Sequence, residues 1–438
     1  MCYQQVRGKN LVLGAVCHRS PFLVIRPKGG LVIFKYLKHT FEMEISRTNR
    51  IASIDILRGL VMIIMALDHT RDFFHQPAMI SDPLNADTTT IPIYFTRWIT
   101  HFCAPTFVFL SGVSAYLSSL KKTRAEASNF LLKRGLWLVL VEVTLVTFGI
   151  TFNPKFHFFV FQVIWAIGWS MVILGLLIRI SPKLVLIVGL LLFFGHNILD
   201  YVDSMQFGKE EPIWTLLFRA RNSLLHAAAP PHFGDFYAIL PWTGAMLLGY
   251  SIGQWFRKDF PAERRKKLLL ITGSSLLVLF IVLRATNLYG NPDPWIRTTG
   301  LRNNLLNFIN TSKYPPSLLY LSMTLGPSCL FLAVSEGLRG KLVDIVSVYG
   351  KVPFFYYILH FYLLHTILMV VFFATGHTTS EIALPFTQYP FYFRPLAFGY
   401  TLPVVYLIWL CVVVFLYFPC RWYSKYKQTH KQWWLSYV

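Results

Sequence analysis

Apolar blocks of about 20 residues recur along the chain, and this pattern constrains the fold more than any other feature of the sequence. A helix of that length crosses the roughly 30 Å hydrocarbon core of a bilayer. Segment 402–418 is apolar on every side, whereas a helix of a soluble protein carries a single apolar stripe. Only 14% of the residues are charged and 55% are hydrophobic, which disfavours a large soluble helical protein. We therefore predict an all-α polytopic membrane protein, a bundle of about ten transmembrane helices.

Breaks that contain Gly and Pro separate the predicted helices. The predicted helices are 51–74, 93–119, 130–151, 158–180, 183–200, 236–256, 267–286, 316–335, 352–374 and 397–418. Residues 1–47 are basic and lack helical periodicity, so we expect an extension that is disordered or not native. Residues 48–420 then form the transmembrane domain, and 421–438 form a basic and aromatic cytoplasmic tail.

The formal net charge of +21 also fits a nucleic-acid-binding protein. The Lys and Arg residues lie in short loops between apolar blocks, however, and no nucleic-acid-binding motif accompanies them, so we expect no nucleic-acid partner. Alternate loops differ in charge: one set holds twenty Lys and Arg residues, and the other, longer set holds eight. The positive-inside rule assigns the richer set to the cytoplasm, which also puts both termini there.

The cysteines show no spacing that indicates a metal site or a redox pair. They are Cys2, Cys17, Cys103, Cys329, Cys411 and Cys420. We interpret them as free thiols and expect no metal. The sequence also lacks a P-loop, a dinucleotide-binding fingerprint, an H-E-x-x-H motif and a nucleophile elbow.

The first predicted helix contains side chains that lipid excludes. They are Asp55, Arg58, Asp68, His69, Arg71, Asp72 and His75. Such groups are costly inside a membrane and indicate a functional site by default. Arg58 and His69 are eleven residues apart, so they share a helix face at a separation of about 16 Å. Asp55 is one turn before Arg58 and can pair with it.

Asp68 and Asp72 are candidates to orient or stabilise the imidazole of His69. The alternative is that Asp55 and Arg58 form a buried structural pair, while the histidines of this helix lie at the membrane interface.

The second predicted helix adds Arg97 and His101, one turn apart at its outer end. Both are within reach of His69 if the first two helices pack antiparallel. Ser111 and Gly112 form a small-residue face, which favours close helix packing over ligand contact.

Polar residues also occur further along the chain. His232, Asp235 and Lys313 either line an acceptor site or, in the interpretation that we favour, lie in solvated loops. His360 and His365 are five residues apart and do not share a helix face, so we expect two separate buried histidines.

Several segments resemble the heparan-α-glucosaminide N-acetyltransferase catalytic-domain family. The first is RIASIDILRGL followed by MALDH; the others are FVFLSG, PHFGDF and YGKVPFFY, at 50–60, 65–69, 107–112, 231–236 and 349–356. The resemblance covers roughly residues 48–420. The family is part of a wider set of transmembrane acyltransferases, in which an Arg of the first helix precedes a catalytic His by eleven residues. Arg58 and His69 match that spacing.

The resemblance implies transfer of an acyl group, expected to be acetyl, from cytosolic acyl-CoA to a carbohydrate or glycolipid acceptor on the other side of the membrane. The expected membrane is a bacterial inner (plasma) membrane, and association as a homodimer stays open. The catalytic candidates are His69, Asp68, His75 and Asp72, with His69 ranked before His75. The candidates for substrate or cofactor binding are Arg58, Asp55, Arg97, His101, His232 and Asp235. The histidine either removes a proton from the acceptor or accepts the acyl group covalently.

Two other functions compete with acyl transfer. A transporter or exporter of a small polar or anionic solute predicts inverted repeats, and no clear repeat is present. A non-enzymatic scaffold leaves the charged first helix unexplained.

Overall fold

The structure is a computed structural model. It describes residues 6–8, 11–13, 23–25, 32–34, 51–203, 212–219, 223–225, 231–382, 391–395 and 398–436. The chain divides into two compact units, Met1–Ile51 and Ala52–Val438. The first unit contains an antiparallel sheet of β1 Val6–Gly8, β2 Leu11–Leu13, β3 Leu23–Ile25 and β4 Val32–Phe34. That residues 1–47 are disordered or not native stays a prediction.

Helices dominate the second unit. In chain order they are α1 Ala52–Phe74, α2 Ile91–Ile99, α3 Cys103–Ser119, α4 Arg124–Val141, α5 Thr147–Thr151, α6 Val163–Ile180, α7 Pro182–Gly195, α8 Leu199–Asp203, α9 Pro212–Trp214, α10 Ile239–Ile252, α11 Ala262–Thr286, α12 Leu301–Ile309, α13 Leu318–Ser335, α14 Lys341–Lys351, α15 Pro353–Ala374 and α16 Leu402–Thr429. Each predicted span coincides with one or more of them, which confirms the prediction of an all-α polytopic membrane protein.

Seven helical segments of the described part are long and apolar enough to cross a membrane. They are 91–119, 163–180, 182–201, 262–286, 318–335, 353–374 and 402–429. The three other predicted spans correspond to α1, α4 with α5, and α10. Helix α1 contains five Asp and Arg residues, and α4 contains four charged residues. Helix α10 has only 14 residues, which is shorter than a typical span.

Two predicted helix boundaries are wrong. The helix predicted from residue 158 begins at Val163, because β5 (Phe158–Phe161) pairs in parallel with β7 (His232–Asp235). Strand β7 also pairs antiparallel with β6 (Ser223–Leu225). The last helix continues to Thr429, past its predicted end at 418. Hydropathy marks the end of an apolar span, whereas backbone hydrogen bonding decides where the helix itself ends.

Glycines allow the helices around α1 and α3 to pack closely. A Cβ atom added to Gly350 of α14 would lie 1.9 Å from the carbonyl oxygen of Asp55 in α1. A Cβ atom on Gly112 of α3 would lie 2.1 Å from the carbonyl oxygen of Met246 in α10. The predicted packing role of Gly112 is therefore confirmed.

Candidate functional site

A small cavity with a volume of about 30 Å³ lies against the second half of α1. Its lining residues are Met65, Asp68, His69, Thr100, Cys103, Ala104, Phe107, Gln162, Val163, Tyr237, Lys313 and Tyr357. Several polar side chains converge on this partly enclosed space, as they do in many ligand sites. The cavity is therefore the candidate functional site.

His69 contacts a second histidine, His360 of α15. Nδ1 of His69 and Nε2 of His360 are 2.6 Å apart, a hydrogen-bond distance. Phe361 stacks on the imidazole of His69 with ring centroids 4.4 Å apart. Because His365 also packs against Phe73, one turn further along both helices, α15 runs parallel to α1 at this contact.

His360 and His365 make separate contacts, as predicted, but the pairing of His360 with His69 was not predicted. No spacing within the sequence connects His360 to His69, because the two are 291 residues apart. The available signal was the presence of a polar, ionisable side chain in a strongly apolar helix.

The hydrogen bonds of this pair indicate which nitrogen of each imidazole is protonated. Nδ1 of His360 lies 3.3 Å from the carbonyl oxygen of Tyr356, an atom that only accepts hydrogen bonds. Nδ1 of His360 is therefore the donor, and in a neutral imidazole its Nε2 then accepts from Nδ1 of His69. This leaves Nε2 of His69 unprotonated, and no hydrogen-bond partner for it is present among the described residues.

Asp68 is bonded to arginines rather than to the imidazole of His69. Its carboxylate accepts a hydrogen bond from Nη1 of Arg97 and lies 3.4 Å from Nη2 of Arg71. Nη2 of Arg71 also lies 2.6 Å from Oδ1 of Asp72. These contacts connect α1 with α2; Asp68 lines the cavity, whereas Arg97 contacts Asp68 without lining the cavity itself.

Two other predicted histidines do not line the cavity. The carbonyl oxygen of His101 accepts a hydrogen bond of 2.8 Å from the hydroxyl of Tyr320, and the ring of His101 is buried. The carbonyl oxygen of His75 accepts a 2.7 Å hydrogen bond from Nη2 of Arg394, and burial lowers the pKa of His75. Of the two candidate bases, His69 reaches the cavity and His75 does not.

Arg58 and Asp55 form the predicted pair at the other end of α1. Nη1 of Arg58 lies 3.8 Å from Oδ1 of Asp55, so the pairing is confirmed. Arg58 also donates to Oγ of Ser114 at 2.7 Å and to the carbonyl oxygen of Gly350 at 3.2 Å. These contacts connect α1 with α3 and α14. Neither Arg58 nor Asp55 lines the cavity, and their role in binding stays a prediction.

His232 and Asp235 lie in β7, just before Tyr237, which lines the cavity. Both side chains are buried, so the solvated-loop interpretation is wrong for them. Oδ1 of Asp235 accepts a hydrogen bond of 3.2 Å from the backbone N–H of Tyr237. Oδ2 has no hydrogen-bond partner in the part of the chain that the structure describes. Burial raises the pKa of Asp235 to about 7.

Four cysteines lie in the described ranges, Cys103, Cys329, Cys411 and Cys420, and all four are free thiols, as predicted. Cys2 and Cys17 lie outside the described residues. Within the described ranges no group of three His, Cys, Asp or Glu side chains is arranged to hold a metal ion.

Fold and site together define a polytopic membrane protein whose helices enclose a cavity with a paired histidine in its wall. Residues 50–285 match the family described as heparan-alpha-glucosaminide N-acetyltransferase, catalytic. The match covers more than half of the chain, so the chain belongs to this family, which is one of acetyltransferases. A comparison with curated proteins found no match. The match ends before Lys313 and His360, which the structure adds to the site.

Proposed function

We propose that the protein transfers an acetyl group from acetyl-CoA on the cytoplasmic side of a bacterial inner membrane to a carbohydrate acceptor on the other side. One observation carries this proposal. In this member of an acetyltransferase family, His69 lines the cavity, and the hydrogen bond that its Nδ1 donates to His360 leaves its Nε2 unprotonated. A positioned imidazole of this kind is suited to general-base catalysis at neutral pH.

The proposed direction of transfer is supported by the distribution of charge along the chain. CoA carries phosphate groups that do not cross a membrane, so its nucleotide stays near the loops that contain most of the Lys and Arg residues. Arg58 precedes His69 by about 16 Å along α1. A pantetheine arm of comparable length would bring the thioester to the cavity.

The chemistry assigns a role to each member of the histidine pair. Nε2 of His69 takes a proton from the acceptor amine or hydroxyl as that group forms a bond to the thioester carbonyl carbon. The C–S bond then breaks, and the thiolate of CoA leaves and takes up a proton. His360 stabilises the resulting imidazolium, because Nε2 of His360 accepts the hydrogen bond from Nδ1 of His69. In a covalent variant, Nε2 of His69 carries the acetyl group between donor and acceptor.

Acetyl transfer in proteoliposomes tests this function. The assay follows radiolabelled acetyl-CoA and an oligosaccharide with a terminal glucosamine, and we expect a labelled oligosaccharide from the wild type and none from His69→Ala. His377→Ala is the matched control, because His377 lies in a loop after α15, paired with Glu381 at 3.2 Å and away from the cavity. Normal transfer by His69→Ala would exclude His69 as the base.

A further inference from the structure

Lys313 brings a positive charge to the wall of the cavity that His69 also lines. Asp68 is the only carboxylate among the cavity-lining residues in the described part, and it is already paired with Arg97 and Arg71. No carboxylate of the described residues lies within ion-pair distance of Nζ of Lys313. Lys313 is half-buried and lines the cavity, so its ammonium group is available to a ligand or to a reaction step there.

The neighbouring tyrosine responds to this excess of positive charge. Burial alone raises the pKa of Tyr314, but Lys313 and Arg97 outweigh burial and lower the pKa below its ordinary value. Positive charge near a phenol favours its ionised form. The cavity wall therefore favours the appearance of a negative charge.

The segment that contains Lys313 is held in place by the side chain of Asn291. Oδ1 of Asn291 accepts hydrogen bonds of 2.9 Å from the backbone N–H of Ser312 and from the hydroxyl of Ser317. Nζ of Lys313 lies over the ring of Tyr314, 5.0 Å from its centroid. The ammonium group is thus positioned in advance, which is the condition for electrostatic stabilisation without reorganisation of the site.

We infer that Lys313 is a catalytic residue whose ammonium group stabilises the oxyanion that forms on the thioester carbonyl during acetyl transfer. This inference rests on the proposed function. The lone pair of the acceptor forms a bond to the carbonyl carbon, the π electrons move to the oxygen, and the acceptor proton passes to Nε2 of His69. The carbonyl then re-forms, the C–S bond breaks, and the CoA thiolate leaves and is protonated by the imidazolium. The negative charge exists on the oxygen only between these two events, opposite Lys313.

An anionic acceptor is the competing use of the same charge, and enzyme kinetics separate the two. Loss of an oxyanion-stabilising group lowers kcat for every acceptor, because the interaction is made only in the transition state. Loss of a group that binds an acceptor anion raises KM for that acceptor alone.

The experiment compares wild type, Lys313→Met and Lys313→Arg in proteoliposomes with acetyl-CoA and either glucosamine or glucosamine 6-phosphate. We expect Lys313→Met to lower kcat about 10²- to 10³-fold for both acceptors, with KM little changed, and Lys313→Arg to recover part of kcat. Lys155→Met is the control, since Lys155 is an exposed lysine away from the cavity. Lys313→Gln replaces the Met variant if that variant does not fold, and the same loss of kcat is expected.

Two outcomes overturn the inference while the proposed function stands. One is an unchanged kcat in Lys313→Met, and the other is a rise in KM confined to glucosamine 6-phosphate. If the wild type transfers acetyl to none of the three acceptors (glucosamine, glucosamine 6-phosphate and the glucosamine-terminated oligosaccharide), the proposed function itself is overturned. The inference then falls with it.

Discussion

Nε2 of His360 lies 2.6 Å from Nδ1 of His69, although the two histidines are 291 residues apart in the chain. This contact orients the imidazole that lines the cavity, and the carbonyl oxygen of Tyr356 sets the protonation of both rings. The two carboxylates close to His69 along α1 are instead bonded to Arg71 and Arg97. Histidine pairing, rather than a carboxylate, therefore prepares the candidate base.

Replacement of His360 tests this pairing. We expect His360→Leu to lower kcat for acetyl transfer by about 10²-fold or more, because Nδ1 of His69 loses its acceptor and the imidazole loses its orientation. His360→Gln should recover part of that loss, since its amide oxygen can accept the same hydrogen bond. Equal kcat values for wild type and His360→Leu, measured with folded protein, would contradict the positioning role.

Asp68→Asn should destabilise the protein strongly. The substitution leaves the buried guanidinium groups of Arg97 and Arg71 without a full counter-charge, and loss of one partner from a buried pair costs about 3–5 kcal/mol. Thermal unfolding in detergent measures the effect. Asp259→Asn is the matched control, because solvent screens the exposed pair of Asp259 with Arg257 and its loss is expected to change stability little. Equal shifts of the thermal midpoint in Asp68→Asn and Asp259→Asn would contradict a buried ion pair at Asp68.

Gly350→Ala should loosen the contact between α14 and α1. The new Cβ would lie 1.9 Å from the carbonyl oxygen of Asp55, so one helix must move, at a cost of about 1–3 kcal/mol or more. Gly337→Ala is the control, since nothing lies within 4 Å of its added Cβ. The thermal midpoints of the two variants give the comparison, and an unchanged midpoint for Gly350→Ala would show that the helices are not in close contact.

Asp235 should make the stability of the protein depend on pH. Burial raises its pKa to about 7 in the folded state, against about 4 in an unfolded chain. Between these values the folded state binds more protons than the unfolded state, so the free energy of unfolding falls as pH rises from about 4 to about 7. In Asp235→Asn this contribution disappears. We expect thermal midpoints measured from pH 5 to pH 8 to fall less in the variant than in the wild type; parallel curves would contradict a buried, protonated carboxyl.

The orientation of the chain is tested by labelling single cysteines in a cysteine-free background. Asp259→Cys lies in a loop of the Lys- and Arg-rich set, and Leu301→Cys lies in the longer loop that is poor in these residues. An impermeant maleimide added outside intact spheroplasts should label Leu301→Cys, while Asp259→Cys should react only after lysis. The reverse pattern would invert the proposed direction of transfer.

The sequence alone determined the class of fold, because a membrane span is a local property: about 20 apolar residues in succession form a helix whatever lies beside them. The pairing of Asp55 with Arg58 was predictable for the same reason, since one helical turn brings the two side chains together. The family relationship also came from local segments, above all from the first helix.

Only the tertiary structure decided which of these polar groups come together at the candidate site. It paired His69 with His360, bonded Asp68 to Arg97, and brought Lys313 from a loop to the cavity wall. Such contacts depend on how helices pack against one another, and no spacing within a single helix encodes them. The later start of α6 also depends on contacts between distant segments. Strand β5 precedes α6 and forms only where β7, more than 70 residues later, supplies its hydrogen-bond partners.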